Sequence, residues 1–318
     1  MTKFIEPSKT TALIVGGGTM GADVGIVLAR AACQTIILEP SAQRREKLDD
    51  YFKQGMSLQN ASEYIPCISY NASLNDIEWN NIDIVIECIP ENLKIKQELF
   101  KELEKRSKKE TILCSNSSSF PISAISENLK TLDRMFGLHF FMPAHLVPLV
   151  EVVMSANSLP ALANPVIELM KACGMVPVLV KKDLPGFLAN RLQHAMAREA
   201  FHMIDEGIAS PEDVDAAVRF GFGFRFLAAG PVMQRDHAGI EVHTAAAASM
   251  YPSLATNTTP AKALQEKVAK NELGMKSGQG FFKWTPETIA QERKRYDDLL
   301  RAGLHLLKDE LPPIKKPQ

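Results

Sequence analysis

A glycine triplet at fixed spacing, Gly16-x-Gly18-x-x-Gly21, constrains this chain more than any other feature. It follows the short apolar run Thr11–Val15 and leads into a segment where Met20, Val24, Val27, Leu28 and Ala31 recur at helical spacing. The chain must therefore turn tightly from a strand into a helix. A second apolar run over Thr35–Leu38 ends at Glu39, 18 residues beyond Gly21. In such a unit the first glycine permits the turn, the second lets backbone approach a pyrophosphate at the helix N-terminus, and the third allows close helix packing. Gly16, Gly18 and Gly21, with Thr19 and Met20 between the last two, are candidate dinucleotide contacts. Glu39 can accept hydrogen bonds from the adenosine ribose and would repel a 2′-phosphate, which favours NAD over NADP. Ala22-Asp23 after Gly21 excludes a Walker-type loop, which needs Lys and Ser/Thr there. Arg44 and Arg45, a turn beyond Glu39, are expected on a solvated helix face.

Further apolar runs follow: a weak one near Cys67–Tyr70, then Asp83–Ile89, Ile112–Ser115, Gly137–Phe141, Val147–Val153 and Val176–Val180. Helix-like stretches at 41–59 and 93–108 separate the earlier ones. This alternation predicts an α/β fold with a Rossmann-like, doubly wound, mostly parallel sheet. After Lys181-Lys182-Asp183 the pattern becomes helical, with an amphipathic stretch over Phe187–Ile208 and Ser210-Pro211 set to cap the next helix. The expected boundary divides a dinucleotide-binding domain, 1–183, from an all-α domain, 184–318, whose tail from about residue 309 is expected to be disordered. A chain of 318 residues is long enough for two cores.

The 36 basic side chains nearly balance 37 acidic ones, so no global field favours nucleic acid or an acidic membrane, and a small-molecule substrate is expected. Nothing before Thr11 is apolar enough for a secretory segment, and no apolar run reaches the ~18 residues of a membrane span. A cytoplasmic protein is the expectation. The five cysteines never fall in C-x-x-C spacing, and the histidines show no ligand spacing, so no metal site is expected.

His139 in GLHFF and Glu151 in LVEVV each interrupt an apolar run. Alone, either would be costly to bury; together, the carboxylate would fix the imidazole tautomer and raise its basicity. Spacing does not show that they meet, and a satisfied structural histidine is the competing interpretation. Ser115-Asn116-Ser117-Ser118-Ser119, at the end of the fifth strand, lies where a doubly wound sheet places ligand contacts, and Asn116 is a further candidate cofactor contact. Asn190 is a polar residue inside the apolar stretch 187–192, on the helix surface or facing a cleft.

Together these segments resemble the L-3-hydroxyacyl-CoA dehydrogenase family over nearly the whole chain. The matching stretches are VGGGTMGADVG, IPENLKIKQELF, SNSSS, GLHFF with LVEVV, DLPGFLANR, and the closing Gly274–Phe282. The resemblance implies that His139 is the general base, with Glu151 orienting it. It implies that Ser118 and Asn190 hold the substrate hydroxyl and the imidazole in place, and that Glu91 and Lys96 contact the nicotinamide-side ribose. It also implies a homodimer built through the helical domain. Three departures stand out. Met142 replaces the family's asparagine after His-Phe-Phe, and Glu39 stands where Asp is usual. Acyl-CoA members carry a long helical hairpin between the second and third strands that helps hold CoA; only Pro40 to about Pro66 is available here, room for one helix. Arg225–Pro231 is also similar to relatives that oxidise small CoA-free substrates such as gulonate, carnitine or pyridine carboxylates, where Arg225 could pair with a carboxylate. The default expectation is oxidation of an L-3-hydroxyacyl-CoA, the alternative the same chemistry on a small CoA-free acid. A protein that binds NAD(H) without turnover is the minor alternative.

Overall fold

The computed structural model describes residues 6–317. The chain divides into two compact units, one running to Asn190 and including Lys308–Gln318, the other Arg191–Leu307.

The first unit is built on one eight-stranded sheet in the order β3-β2-β1-β4-β5-β6-β7-β8. The strands are β1 Thr11–Val15, β2 Gln34–Leu38, β3 Ile68–Asn71, β4 Ile84–Glu87, β5 Ile112–Ser115, β6 Met135–Phe140, β7 Leu149–Met154 and β8 Val176–Val180. All neighbouring pairs are parallel except β6 and β7. The helices are α1 Thr19–Ala29, α2 Ala42–Leu58, α3 Leu93–Arg106, the short α4 Ile122–Ile125, and α5 Pro160–Ala172.

Alternation along the strands makes a core on each face of the sheet. Ala12, Ile14, Ile86, Cys114 and Leu138 pack with α1, α2 and α5, while Leu13, Val15, Val85, Leu113 and Val153 pack with α3 and α4. The continuous apolar runs seen in the sequence are this two-sided burial. The packing of α1 on α2 uses absent side chains: a Cβ on Gly25 would lie 2.8 Å from the Phe52 ring, and one on Gly55 2.3 Å from Ile26.

Between β2 and β3 there is a single α-helix, α2, capped by Ser41, followed by a six-residue 3-10 turn over Ser62–Cys67. The second unit is helical, with most of α6 Ala189–Asp205, then α7 Pro211–Ala217, α8 Met233–Ala238, α9 Ile240–Met250, α10 Lys262–Ala269 and α11 Pro286–Leu306. Ser210 caps α7 through the Asp213 amide, with Pro211 in its first turn. No helix among the described residues is long and apolar enough to cross a membrane.

The C-terminal segment departs from its expected disorder. Ile314 pairs with Cys173 in an antiparallel bridge, Lys315 donates its amide to Ala172 at 2.8 Å, and Lys316 sits 3.1 Å from Glu63. Ile314 fills the notch left by Gly174, where a Cβ would come within 2.6 Å of it. Three prolines and two lysines resemble a solvated tail in composition, but Ile314 packs on the first unit and the backbone beside it is hydrogen-bonded there; Gln318 lies outside the described residues. Ile314→Ala is expected to cost about 1 kcal/mol, less than a fully buried isoleucine. An unchanged urea midpoint would show that the contact does not hold the segment.

Candidate active site

The glycine loop joins β1 to α1 at the C-terminal end of the sheet. Gly16 has φ +109°, which glycine alone adopts readily, and a Cβ there would lie 2.8 Å from the Cys88 carbonyl oxygen. At Gly21 a Cβ would fall 1.8 Å from the Gly16 carbonyl oxygen. Gly18 is different, since a Cβ there would meet nothing within 4 Å. Its bare backbone leaves open space beside the N-terminus of α1, where the amides of Thr19 and Met20 begin the helix and suit a pyrophosphate. Glu39 directly follows β2, buried, with Oε2 accepting from the Gly17 amide at 3.2 Å and Oε1 from the Ser41 amide at 2.9 Å. These bonds pin the loop and leave further lone pairs for ribose hydroxyls. Arg44 lies 3.8 Å from the same carboxylate and is largely exposed. The loop therefore fits NAD.

At the ends of β4 and β5 stands a network of charges. Lys96, only 1% exposed, directs its ammonium to Glu87 at 2.6 Å, the Ile89 carbonyl at 3.3 Å and Glu91 at 3.2 Å. An ammonium has three N–H donors. All three are engaged, so Lys96 is not placed to reach a ribose, a correction to its expected role. Glu91 keeps 35% of its side chain exposed, and its Oε1 accepts from Ser117 Oγ, the Ser119 amide and Ser119 Oγ. Burial opposes its charge, but the serine hydrogen bonds and the Lys96 ammonium outweigh that and hold its carboxyl below the usual range. Asn116 Oδ1 accepts from the Phe140 amide at 2.8 Å, fastening the serine turn to the strand that carries His139. Ser118 is exposed at the tip of that turn.

The antiparallel pairing of β6 and β7 sets His139 directly opposite Glu151. Residues facing each other across such strands bring their side chains together. His139 Nδ1 lies 2.7 Å from Glu151 Oε2, and both side chains are buried. The other oxygen, Oε1, accepts from the amides of Leu188 at 3.0 Å and Ala189 at 2.8 Å, at the start of α6. Those amides are aimed by a tight turn in which Gly186 and Phe187 have φ of +77° and +49°. Burial pushes the Glu151 carboxyl up, but the His139 and amide hydrogen bonds prevail and hold it below its ordinary value. A carboxylate in that state only accepts, so Nδ1 is the donor to Glu151, and in the neutral ring that leaves the lone pair on Nε2. The imidazole is flanked by Phe141 and Phe187, at centroid distances of 4.6 and 5.7 Å. Asn190 follows in the first turn of α6, half-buried.

Three features of the site are not evident in the sequence. Glu87 is buried within an apolar strand, the amides of Leu188 and Ala189 carry no side-chain signature, and Asp23 lies within α1. Asp23 accepts from the Tyr51 hydroxyl, the Ala144 amide at 3.0 Å and His145 Nδ1 at 3.1 Å, holding the connection between β6 and β7. A single charged residue inside an apolar helix pattern is the only signal that marks it. Arg225 lies in the second unit, exposed. No cluster among the described residues offers three metal-ligating side chains. A groove of 590 Å³ lined by Lys9, Thr11, Gln34 and Lys108 lies at the N-terminal ends of β1 and β2, the opposite end of the sheet.

The model of the 3-hydroxyacyl-CoA dehydrogenase NAD binding domain matches residues 11–184, and that of the 3-hydroxyacyl-CoA dehydrogenase C-terminal domain matches residues 186–284. The chain is 30% identical over 291 residues to 5-formyl-3-hydroxy-2-methylpyridine 4-carboxylate 5-dehydrogenase of Mesorhizobium japonicum, covering 89% of this chain and 94% of that protein. It is 32% identical over 286 residues to human mitochondrial hydroxyacyl-coenzyme A dehydrogenase, covering 85% and 90%. A crystal structure of a 5-formyl-3-hydroxy-2-methylpyridine 4-carboxylic acid 5-dehydrogenase, described as an NAD+-dependent dismutase, matches with a TM-score of 0.87 at 28% identity, over 93% of this chain and 98% of that one.

Proposed function

Since the chain belongs to the 3-hydroxyacyl-CoA dehydrogenase family and is an NAD-dependent oxidoreductase, we propose that its substrate is a small CoA-free molecule carrying a carboxylate and a hydroxyl or hydrated aldehyde. The observation that carries this reading is the single helix α2 between β2 and β3, in place of the hairpin by which acyl-CoA relatives help hold CoA. The similarity to a dehydrogenase whose name specifies a pyridine carboxylate, extending over 89% of the chain, supports it.

In this reading His139 is the general base. Glu151 fixes its Nδ1–H and thereby presents Nε2 to the substrate hydroxyl. NAD, when bound at the glycine loop, would supply the hydride acceptor for the carbon that becomes a carbonyl. His139 takes the hydroxyl proton, and the imidazolium so formed is stabilised by the adjacent Glu151 carboxylate. Ser118, held between the anchored Ser117 and Ser119, and Asn190, at the start of α6, orient the substrate hydroxyl and the imidazole. Gly16, Gly18, Thr19, Met20, Gly21, Glu39, Glu91 and Asn116 hold the cofactor. A homodimer through the helical unit belongs to the same proposal, supported by the exposed Phe220, Val232 and Tyr251 on that unit.

The test compares L-3-hydroxybutyryl-CoA with free 3-hydroxybutyrate, gulonate, carnitine and pyridine carboxylates. NADH is followed at 340 nm and products by chromatography, because a dismutation would consume the NADH it makes. Turnover of a free acid is expected; turnover of the CoA ester alone would overturn the substrate class. Glu39→Ala is expected to weaken NAD more than NADP, because a carboxylate that repels a 2′-phosphate is removed while Arg44 stays. Equal weakening of both in a binding titration would take Glu39 out of the ribose site.

A further inference from the structure

Glu87 is a fully buried carboxylate that the proton and hydride transfers leave idle. It ends β4, directly opposite Ser115 on β5. A carboxylate removed from water needs hydrogen bonds in place of solvent. Glu87 has them: Oε1 accepts from Lys96 Nζ at 2.6 Å and the Ile89 amide at 2.7 Å, and Oε2 from Ser115 Oγ at 2.6 Å.

Two paths lead from this carboxylate to the same serine. One passes through Lys96 to Glu91 at 3.2 Å, whose Oε1 accepts from Ser117 Oγ at 2.5 Å. The other passes through Ser115 Oγ, which accepts from the Ser117 amide at 3.2 Å. The bonds close into a ring, Glu87–Lys96–Glu91–Ser117–Ser115. The Asn116 amide adds a link inside it, donating to the Glu87 carbonyl at 2.9 Å. A buried ion pair is often no more stabilising than apolar residues of the same volume, so stability alone is a poor reason for this arrangement. A closed ring in which every link but the Ser117 amide to Ser115 Oγ is charge-assisted does fix direction.

We infer that Glu87 is a positioning residue, which through this ring holds the turn of residues 116–119, and the exposed Ser118 within it, in place for the reaction. The inference rests on the proposed role of Ser118 toward the substrate; the ring does not.

The test uses the full-length protein and three variants, Glu87→Gln, Glu87→Gln with Lys96→Met, and Ser117→Ala. Melting temperature, amide hydrogen exchange at residues 116–120, NADH affinity, and kcat and KM on whichever substrate the wild type turns over are measured for each. Glu87→Gln leaves Lys96 without its closest counter-charge. It is expected to lower the melting temperature, to speed exchange at Ser117 and Ser119 at least tenfold, and to reduce kcat with little change in NADH affinity. The double variant removes both charges and is expected to regain melting temperature while exchange stays fast and kcat stays low. Recovery of kcat together with the melting temperature would overturn the inference, because it would make Glu87 a matter of charge balance alone. Should Glu87→Gln not fold, Ser117→Ala opens the ring without touching the buried charges, and unchanged exchange in that variant overturns the inference as well. Fast exchange with unaltered kcat would instead keep the ring and overturn the role of Ser118 in the proposed function.

Discussion

Replacing His139 with alanine is expected to lower turnover by about 10²–10⁴-fold while leaving NADH binding nearly intact. The two effects separate because the residues involved do. The imidazole stands on β6, while the glycine loop and Glu39 lie at the ends of β1 and β2. Loss of the ring leaves the Glu151 carboxylate bound to the amides of Leu188 and Ala189, so the start of α6 keeps its anchor. Steady-state kinetics with an NADH fluorescence titration decide the matter. Unchanged turnover would remove His139 as the base, and partial recovery with added imidazole would support the proton-transfer role.

Glu151→Gln is the second large effect, and it is expected in both turnover and stability. The neutral amide no longer dictates that Nδ1 carries the proton, so a fraction of the imidazoles present the wrong nitrogen; a loss of about 10²-fold in kcat is expected. The weakened charge-assisted bonds to His139 and to the start of α6 are expected to cost roughly 1.5–3 kcal/mol. The pH dependence follows from the direction of the Glu151 shift. Its carboxyl is held below the ordinary value by His139 and the two amides, against the opposing effect of burial. A carboxyl depressed in the folded state contributes stability that is complete above its unfolded pKa, about 4.3, and is lost as pH falls through the folded value. The wild type should therefore exceed Glu151→Gln in urea midpoint by the most near neutrality, and the difference should shrink below about pH 4. A difference that stays constant with pH would mean that the Glu151 charge contributes nothing to folding.

The fold was largely legible because its signals are local. The glycine spacing, the run Thr11–Val15 and the helical period after it describe one strand–turn–helix unit, and the central strands β4, β5, β6 and β7 show themselves as short apolar runs buried on both faces, whereas the outer strand β3, with no buried residue, is marked only weakly. The helix α5 was harder to see, since Pro165 interrupts its interior. The order of the C-terminal segment is not legible for a related reason: its composition is that of a solvated tail, but the notch beside Gly174 that receives Ile314 is made by a distant part of the chain.

The site divides along the same line. Gly16, Gly18, Gly21 and Glu39 were identifiable together because their work depends on backbone conformation and on the ends of adjoining strands. Residue types and spacing also pointed to the NAD cofactor and to a His-Glu pair, and the resemblance of several segments identified the family. Partnership among buried polar groups was not identifiable in this way. The 12 residues between His139 and Glu151 fit many arrangements, and it is the antiparallel register of β6 and β7 that sets them face to face. The same applies to Lys96, which a motif places at the cofactor and the fold encloses between Glu87 and Glu91. Local conformational preference is written in neighbouring residues. The satisfaction of a buried charge depends on groups brought close by long-range strand pairing, and no short stretch of sequence encodes that proximity.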